Sequence, residues 1–216
     1  MLHIQRTTPS LSVFRLAYRC IKLWAVQRGI YSSKFGYLSG TYITLMLDRI
    51  CKMVSYDSAS FGTGDVIMSF FTYYARFDWA QELVFDAFFH KSIPRYHRTS
   101  REAMVILGHY TPNFNIAHTS TVPGLHVLMK EFKTAAEDLS SLGMTWEKFF
   151  RGFDRTSNGT RLEAGTVFRN SYQNYVQIDI QYWGRKLSKG KILVGWIESC
   201  CLSLVVGKSA FSCCKS

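Results

Sequence analysis

Residues suited to ligand contact are concentrated in the stretch IKLWAVQRGIYSSKFGYLSG, residues 21–40. There Lys22, Tyr31 and Gly40 surround a corner between two predicted helices. A lysine ammonium on a flexible stem is a compact partner for phosphate oxygens, and an aromatic ring can stack on a nucleobase. A glycine at a helix N-terminus lets a ligand approach the backbone amides closely. A turn between two helices does not by itself require this combination of residues.

Each of these residues also has an ordinary structural interpretation. Lys22 can be one more solvated charge on a basic helix face, and Tyr31 can cover the core at the turn. Gly36 and Gly40 can serve only the bend and close helix packing. The residue types alone leave both interpretations open.

The spacing of apolar residues predicts the helices around this corner. A first helix follows Thr8-Pro9, a capping hydroxyl with proline at the first helical position, and ends in a left-handed cap at Gly29. Its predicted apolar face contains Val13, Leu16, Ala17, Cys20, Leu23 and Trp24. A second helix begins near Gly40 and continues through TYITLMLDRICKMV. Because it is apolar nearly all round, we expect it to be central and buried.

Further elements are predicted along the chain. Helices are expected over 63–76, over about 124–142, at TWEKFF with Thr145 as its cap, and over about 191–206, while 77–101 is expected to be irregular. Two strands are predicted, AMVILG at 103–108 and the alternating NYVQIDIQYW at 174–183. Residues 151–166 read as an insertion or linker. We therefore predict an α+β chain, with a mainly helical domain over 1–148 and a smaller α/β domain over 149–216.

The composition favours a packed protein with an anionic partner. The chain has 216 residues, is 47% hydrophobic and carries a net charge of +11, which argues against disorder and favours nucleic acid, nucleotide phosphates or an anionic membrane surface. No apolar stretch reaches the roughly 18–20 residues of a membrane span, so a soluble intracellular protein without a membrane partner is expected. The acid-free first 47 residues also fit a mitochondrial presequence, although their periodicity is that of a packed helix. Six cysteines without CxxC spacing indicate reduced thiols and no zinc site.

The segment FRLAYRCIKLWAVQRGIYSSKFGYLSG closely resembles the central region of eukaryotic poly(A) polymerases, where the same corner reads approximately FRxALRxIKLWAxRRGIYSNxxGFLGG. The stretches TPNFNIAHTST, LMKEFKTA and TWEKFF agree with that family in the same order. FRNSYQNYVQIDI and VGWIESCCLSLVV look like the first strand and helix of its RNA-binding domain. The resemblance runs from about Phe14 to Gly207. It implies a helical central domain followed by a truncated RRM-like domain of ferredoxin type.

The resemblance implies a nucleotide site at the corner. In the family, the lysine of IKLWA meets the ATP phosphates, the following tyrosine lies near the nucleotide, and a Gly-Gly segment lets the backbone approach the base. Carried over by motif, the nucleotide-binding positions are Lys22, Tyr31, Ser33, Ser39, Gly40 and Thr41. Ser33, Ser39 and Thr41 depart from the asparagine, glycine and small apolar residue of the family. We therefore expect nucleotide binding to be weakened or altered.

The family adds adenylates from ATP to RNA 3′ ends with two Mg²⁺ ions. Carboxylates of a D-x-D motif and a third aspartate hold these ions in a catalytic domain that precedes the first helix. The present sequence contains no D-x-D, so it has no predicted catalytic or metal-binding residue and is not expected to polymerise by itself. It is interpreted as a fragment or degenerate relative of a polymerase. The alternative function is that of a non-catalytic RNA-binding adaptor.

The resemblance further implies RNA as a partner and a nuclear role in mRNA 3′-end processing, with cleavage and polyadenylation factors as further partners. The predicted RNA-binding residues are Arg169, Arg185, Lys186, Lys189 and Lys191, a basic cluster that suits phosphates and equally suits a solubilising turn. A second basic run, Arg95, His97, Arg98 and Arg101, has the same two interpretations.

Overall fold

The computed structural model describes residues 2–58, 60–90, 92–110, 114–150, 179–184 and 186–205. The helices in these ranges are α1 (Leu2–Thr7), α2 (Leu11–Gln27), a 3₁₀ helix (Ser33–Phe35), α3 (Gly40–Asp57), α4 (Thr63–Arg76), α5 (Val122–Ser140), α6 (Trp146–Phe150) and α7 (Leu187–Val205). The predicted helices are confirmed, and α4 has the predicted bounds. Sequence reasoning missed α1. Thr8 therefore does not cap α2, which Ser10 precedes.

The core is a cluster of aromatic side chains between α2, α4 and α5. The Trp24 ring stacks on Phe132, with centroids 5.7 Å apart, and meets Phe71 edge-on at 4.7 Å. On its other side, Phe132 stacks on Trp79 at 6.3 Å. These rings are buried, and aromatic pairs add stabilisation beyond that of the area they bury. Through its ring contacts, Phe132 joins three separate parts of the chain.

The predicted apolar face of α2 is partly wrong. Its buried residues are Phe14, Ala17, Ile21, Trp24 and Ala25, whereas Leu16 and Leu23 are 51% and 47% exposed. The helix has apolar residues on more than one side, so periodicity permits more than one inward face. The bulk of Trp24 within the aromatic cluster selects the face that is buried.

The prediction that α3 is central is confirmed. Ile43, Met46 and Leu47 have no exposed surface, and the helix packs against both α2 and α4. Its N-terminus is capped by Ser39, whose hydroxyl accepts a hydrogen bond from the Tyr42 backbone N–H at 3.2 Å. Two charged residues, Asp48 near its middle and Lys52 one turn later, are nevertheless buried.

The segment between α4 and α5 is irregular, as predicted for 77–101, but the strand predicted over 103–108 is wrong. Only isolated bridges occur there, joining Ile106 to Val84 and Leu107 to Asn115. Side-chain groups and these bridges together bond the backbone there, in place of a regular ladder.

Two polar side chains supply several of those bonds. Arg98 donates to the carbonyls of Ala80, Glu102 and Ala103. The Asn115 carbonyl oxygen accepts from the Ile106 and Ala117 N–H groups, while its amide nitrogen donates to Met104. Side chains thus bond three backbone groups of the apolar run AMVILG and backbone groups of other segments bond three more, so the run is buried without forming a regular strand.

The described part of the chain after residue 178 does not support the RRM-like domain. Residues 179–184 form no strand, and the described ranges contain no sheet; 174–178 and the predicted linker lie outside them. A single alternating segment needs neighbouring strands before it forms a stable ladder. The helix predicted there is confirmed as α7, which begins four residues earlier and contacts the 3₁₀ helix through Lys34 Nζ and Glu198 Oε2, 3.0 Å apart. The described structure is thus mainly helical.

Among the described helices, none combines the length and the apolar character that crossing a bilayer requires.

The aromatic core gives a direct stability test. We expect Phe132→Ala to lower the free energy of unfolding by about 3–5 kcal/mol, because it removes a ring in contact with both tryptophans and leaves a cavity. Urea unfolding followed by tryptophan fluorescence measures the change. Leu142→Ala, at a fully exposed position, is the control. Equal unfolding midpoints for the two variants would contradict a core centred on Phe132.

Candidate functional site

The corner between α2 and α3 is closed by backbone bonds and a tight glycine contact. The buried residues Ile30 and Leu38 pair across it, with the Leu38 N–H donating to the Ile30 carbonyl at 3.1 Å. Gly36 has φ 77°, and a Cβ placed on it would lie 2.9 Å from the Thr119 carbonyl oxygen. Gly36 is therefore required by the turn and by packing against the segment before α5. Gly29, at φ 70°, ends α2 in the predicted left-handed conformation.

Lys22, Tyr31 and Gly40 come together at this corner. The Lys22 ammonium lies 5.2 Å from the centroid of the Tyr31 ring, a cation–π contact. A Cβ built on Gly40 would lie 3.3 Å from the Tyr31 hydroxyl. Gly40 is also the first residue of α3, so the positive end of the helix dipole lies at the same place. A cation, an aromatic ring and a helix N-terminus thus converge in one partly exposed site.

The other three predicted nucleotide-binding residues flank this group. Ser39 and Thr41 adjoin Gly40; Thr41 is exposed, and the Ser39 hydroxyl is used in capping α3. Ser33 is exposed at the start of the 3₁₀ helix, where its carbonyl accepts from the Gly36 N–H at 3.1 Å.

Sequence reasoning missed Tyr18 at this site. A Cβ on Gly40 would come within 2.9 Å of the Tyr18 hydroxyl, and this phenol is hydrogen-bonded to Tyr31. Burial, the neighbouring Tyr31 and that hydrogen bond raise the pKa of Tyr18. The signal was present in the sequence: Tyr18 stands where the family pattern has leucine, and four residues before Lys22 places it on the same helix face.

A second group of polar residues is buried beneath the irregular segment. Lys52 donates to the carboxylates of both Asp48, at 2.8 Å, and Asp86. His109 Nε2 lies 3.2 Å from Asp48 Oδ2 and 3.1 Å from Asp86 Oδ2. All four residues are at most 9% exposed. We call these four residues the buried ion network.

Charge compensation governs the pKa values in the buried ion network. Burial alone would raise the pKa of Asp86, but hydrogen bonds from His109, Lys52 and the Phe88 backbone outweigh it and hold that pKa well below its usual range. Burial alone would lower the pKa of His109, but hydrogen bonds to Asp48 and Asp86, together with their charges, outweigh it and raise that pKa.

The buried ion network does not fit Mg²⁺, the ion that the family resemblance implies. Ligand atoms of Asp48, Asp86 and His109 lie within 4.8 Å of one another, but the Lys52 ammonium bonds both carboxylates and takes the position of a cation. Mg²⁺ moreover prefers near-octahedral oxygen ligands and retained waters. We therefore assign this network a structural role.

The predicted RNA-binding cluster is only partly described. Lys186, Lys189 and Lys191 are exposed at the beginning of α7, whereas Arg169 and Arg185 lie outside the described residues. In the second basic run, Arg95, His97 and Arg101 are exposed. Arg98 is half-buried and bonds backbone carbonyls, so its role is in the fold.

Comparison with known proteins identifies the class to which this fold and corner belong. The poly(A) polymerase central domain matches residues 13–152, and the chain belongs to that family, as the resemblance indicated. It is similar to a poly(A) polymerase of Dictyostelium discoideum, 28% identical over 91% of this chain and 23% of that protein. It is also similar to nuclear poly(A) polymerase 1 of Arabidopsis thaliana, 27% identical over 91% of this chain and 26% of the relative.

A third relative is poly(A) polymerase PAPa of Candida albicans, 25% identical over 90% of this chain and 36% of that protein. The chain thus spans between about a quarter and a third of the length of these three relatives.

The first prediction for the site concerns Lys52. We expect Lys52→Met to lower the free energy of unfolding by about 3–5 kcal/mol, because removing one partner of a buried ion pair leaves charge without compensation. Urea unfolding measures the loss, with the exposed Lys130→Met as the control for removal of one charge. A loss no greater than that of the control would show that the carboxylates do not depend on Lys52.

The second prediction for the site concerns the pH dependence of stability. Because the folded-state pKa of His109 is raised, its contribution to stability is fully present below about pH 6.5 and is lost as pH rises through the folded value. We expect the stability difference between wild type and His109→Gln to shrink as pH increases across that window. Chemical unfolding at a series of pH values measures it, with the exposed His126→Gln as the control. A difference that stays constant or grows with pH would contradict this assignment.

Proposed function

We propose that this chain supplies the nucleotide-contacting part of an enzyme that adds adenylates from ATP to RNA 3′ ends. The observation that carries the proposal is the convergence of the Lys22 ammonium, the Tyr31 ring and Gly40 at the N-terminus of α3. Family membership of residues 13–152 supports it. The nucleotide-binding set would be Lys22, Tyr31, Ser33, Ser39, Gly40 and Thr41.

In this proposal each residue has a role fixed by its chemistry. Lys22 bonds the ATP phosphates, Tyr31 contacts the adenosine, and the absence of a side chain at Gly40 lets the base approach the helix N-terminus. Ser39 orders that N-terminus through its cap. Mg²⁺, which the family uses to neutralise the transferring phosphate, has no fitting site among the described residues, so we derive no step through it.

We further propose that the chain contacts RNA and has a nuclear role. Arg169, Arg185, Lys186, Lys189 and Lys191 would contact RNA phosphates. Relatives named nuclear poly(A) polymerases support a nuclear role in mRNA 3′-end processing, with cleavage and polyadenylation factors as partners. We place the boundary between the two proposed domains after residue 148, close to the ends of α6 and of the family match.

The test is ATP binding to the 216-residue chain. We expect Lys22→Ala to weaken it about tenfold or more, because a charge-assisted hydrogen bond contributes about 1.5–3 kcal/mol. Isothermal titration calorimetry measures the affinity, and Lys130→Ala, which removes an equal charge from the exposed face of α5, is the control.

Two outcomes would contradict the proposal. Equal ATP affinity in both lysine variants would make Lys22 an ordinary surface charge. No ATP binding by the wild-type chain, with RNA binding retained, would favour the non-catalytic adaptor.

A further inference from the structure

Four exposed aromatic side chains form two ring pairs at the end of α3 and in the irregular segment. Tyr56, Phe88, Phe89 and Tyr110 are 83%, 51%, 39% and 73% exposed. Ring centroids are 6.5 Å apart for Tyr56 and Phe88 and 5.8 Å apart for Phe89 and Tyr110, and Phe88 adjoins Phe89 in the chain. We call these four residues the aromatic strip. Grouped exposed rings mark an interaction surface more often than isolated apolar residues do.

A cavity of about 340 Å³ opens beside the aromatic strip. Tyr56, Phe88 and Phe89 line it together with the buried polar side chains of Lys52 and Asp86. Its volume lies at the lower end of the range of about 300–1,000 Å³ found for small-molecule pockets. A lining that combines aromatic rings with polar groups suits a flat, heteroatom-containing ring such as a nucleobase.

The charge along the segment that carries Phe88 and Phe89 indicates which polymer would carry such bases. The stretch AFFHKSIPRYHRTSR, residues 87–101, contains four Lys/Arg and no Asp or Glu. Arg95 and Arg101 are exposed there, whereas Arg98 is engaged by backbone carbonyls. Basic side chains interleaved with exposed rings are the combination that binds single-stranded nucleic acid, since the rings stack on bases and the cations contact phosphates. A duplex would not present its base faces.

We propose that the aromatic strip stacks on bases of single-stranded RNA while Arg95 and Arg101 contact its phosphates. This surface is separate from the corner that holds Lys22. Gly40 and Tyr56 lie at opposite ends of α3, about 24 Å apart along its axis. The inference extends the RNA contact beyond the basic cluster at the start of α7 and does not depend on ATP binding.

The test measures binding of the full chain to a fluorescein-labelled single-stranded oligoadenylate by fluorescence anisotropy. We expect the double variant Tyr56→Ala/Phe88→Ala to bind about tenfold more weakly or worse, with an unchanged salt dependence, since each stacked base contributes an energy equivalent to that factor. Arg95→Gln/Arg101→Gln should instead flatten the plot of log affinity against log salt by about 1.4, or about 0.7 for each phosphate that no longer faces a cation. Met68→Ala/Leu142→Ala, at two exposed apolar positions, is the matched control and should bind as wild type.

Several results would overturn the inference. These are unchanged RNA affinity in the Tyr56/Phe88 variant, competition by duplex RNA as effective as by single strands, or no RNA binding by the wild-type chain. Loss of self-association or of protein binding in that variant, with RNA affinity intact, would reassign the aromatic strip to a protein partner. Should the double variant unfold, the single variant Tyr110→Ala makes the same comparison. The RNA-binding assay contains no ATP. A negative result in it therefore does not affect the interpretation of ATP binding by the Lys22→Ala variant.

Discussion

One buried ammonium group organises the least regular part of this protein. Lys52 on α3 is shared by Asp48, one turn earlier, and Asp86, in the segment after α4. His109 closes the arrangement from a third segment, and the Thr8 hydroxyl donates to Asp48 at 3.1 Å. Buried charges are tolerated only when paired and hydrogen-bonded. If one of these segments moved away, the charges of the remaining segments would stay buried without their partners.

The same network determines what the surface above it presents. The second oxygen of Asp86 accepts the backbone N–H groups of Phe88 and Phe89 at 3.0 and 3.2 Å. This fixes the turn that carries both rings outward. Because Asp86 is in turn held by Lys52, the C-terminal half of α3 and the exposed rings form one unit, while the N-terminal end of the same helix forms the corner with Lys22.

How far the sequence predicted this structure depends on the range of the interactions involved. Helices α2 to α6 follow from local periodicity and capping, and the grouping of Lys22, Tyr31 and Gly40 follows from the motif. The buried ion network does not, because its members are separated by as many as 61 residues and only the fold brings them together. The strand expected at 103–108 was wrong for a different reason: bonds from the side chains of Asn115 and Arg98, only nine and five residues away, satisfy part of a backbone that its sequence predicts as β.

Two departures from the family pattern at the corner add contacts within the protein. Ser39 stands where the family has glycine, and its hydroxyl stabilises the start of α3. Tyr18 stands where the family has leucine, and its hydroxyl meets that of Tyr31 over Gly40. In the proposed nucleotide complex, a base approaching Gly40 would displace these hydroxyls, and a phosphate would draw Lys22 from the Tyr31 ring. An exposed cation–π contact is worth about 0.5–1 kcal/mol, whereas a charge-assisted hydrogen bond is worth about 1.5–3 kcal/mol, so the exchange of ring for phosphate favours the nucleotide. Displacing the tyrosine pair would oppose this gain. Under the proposal, Tyr18 would therefore contribute to the expected weakening of nucleotide binding together with Ser33, Ser39 and Thr41.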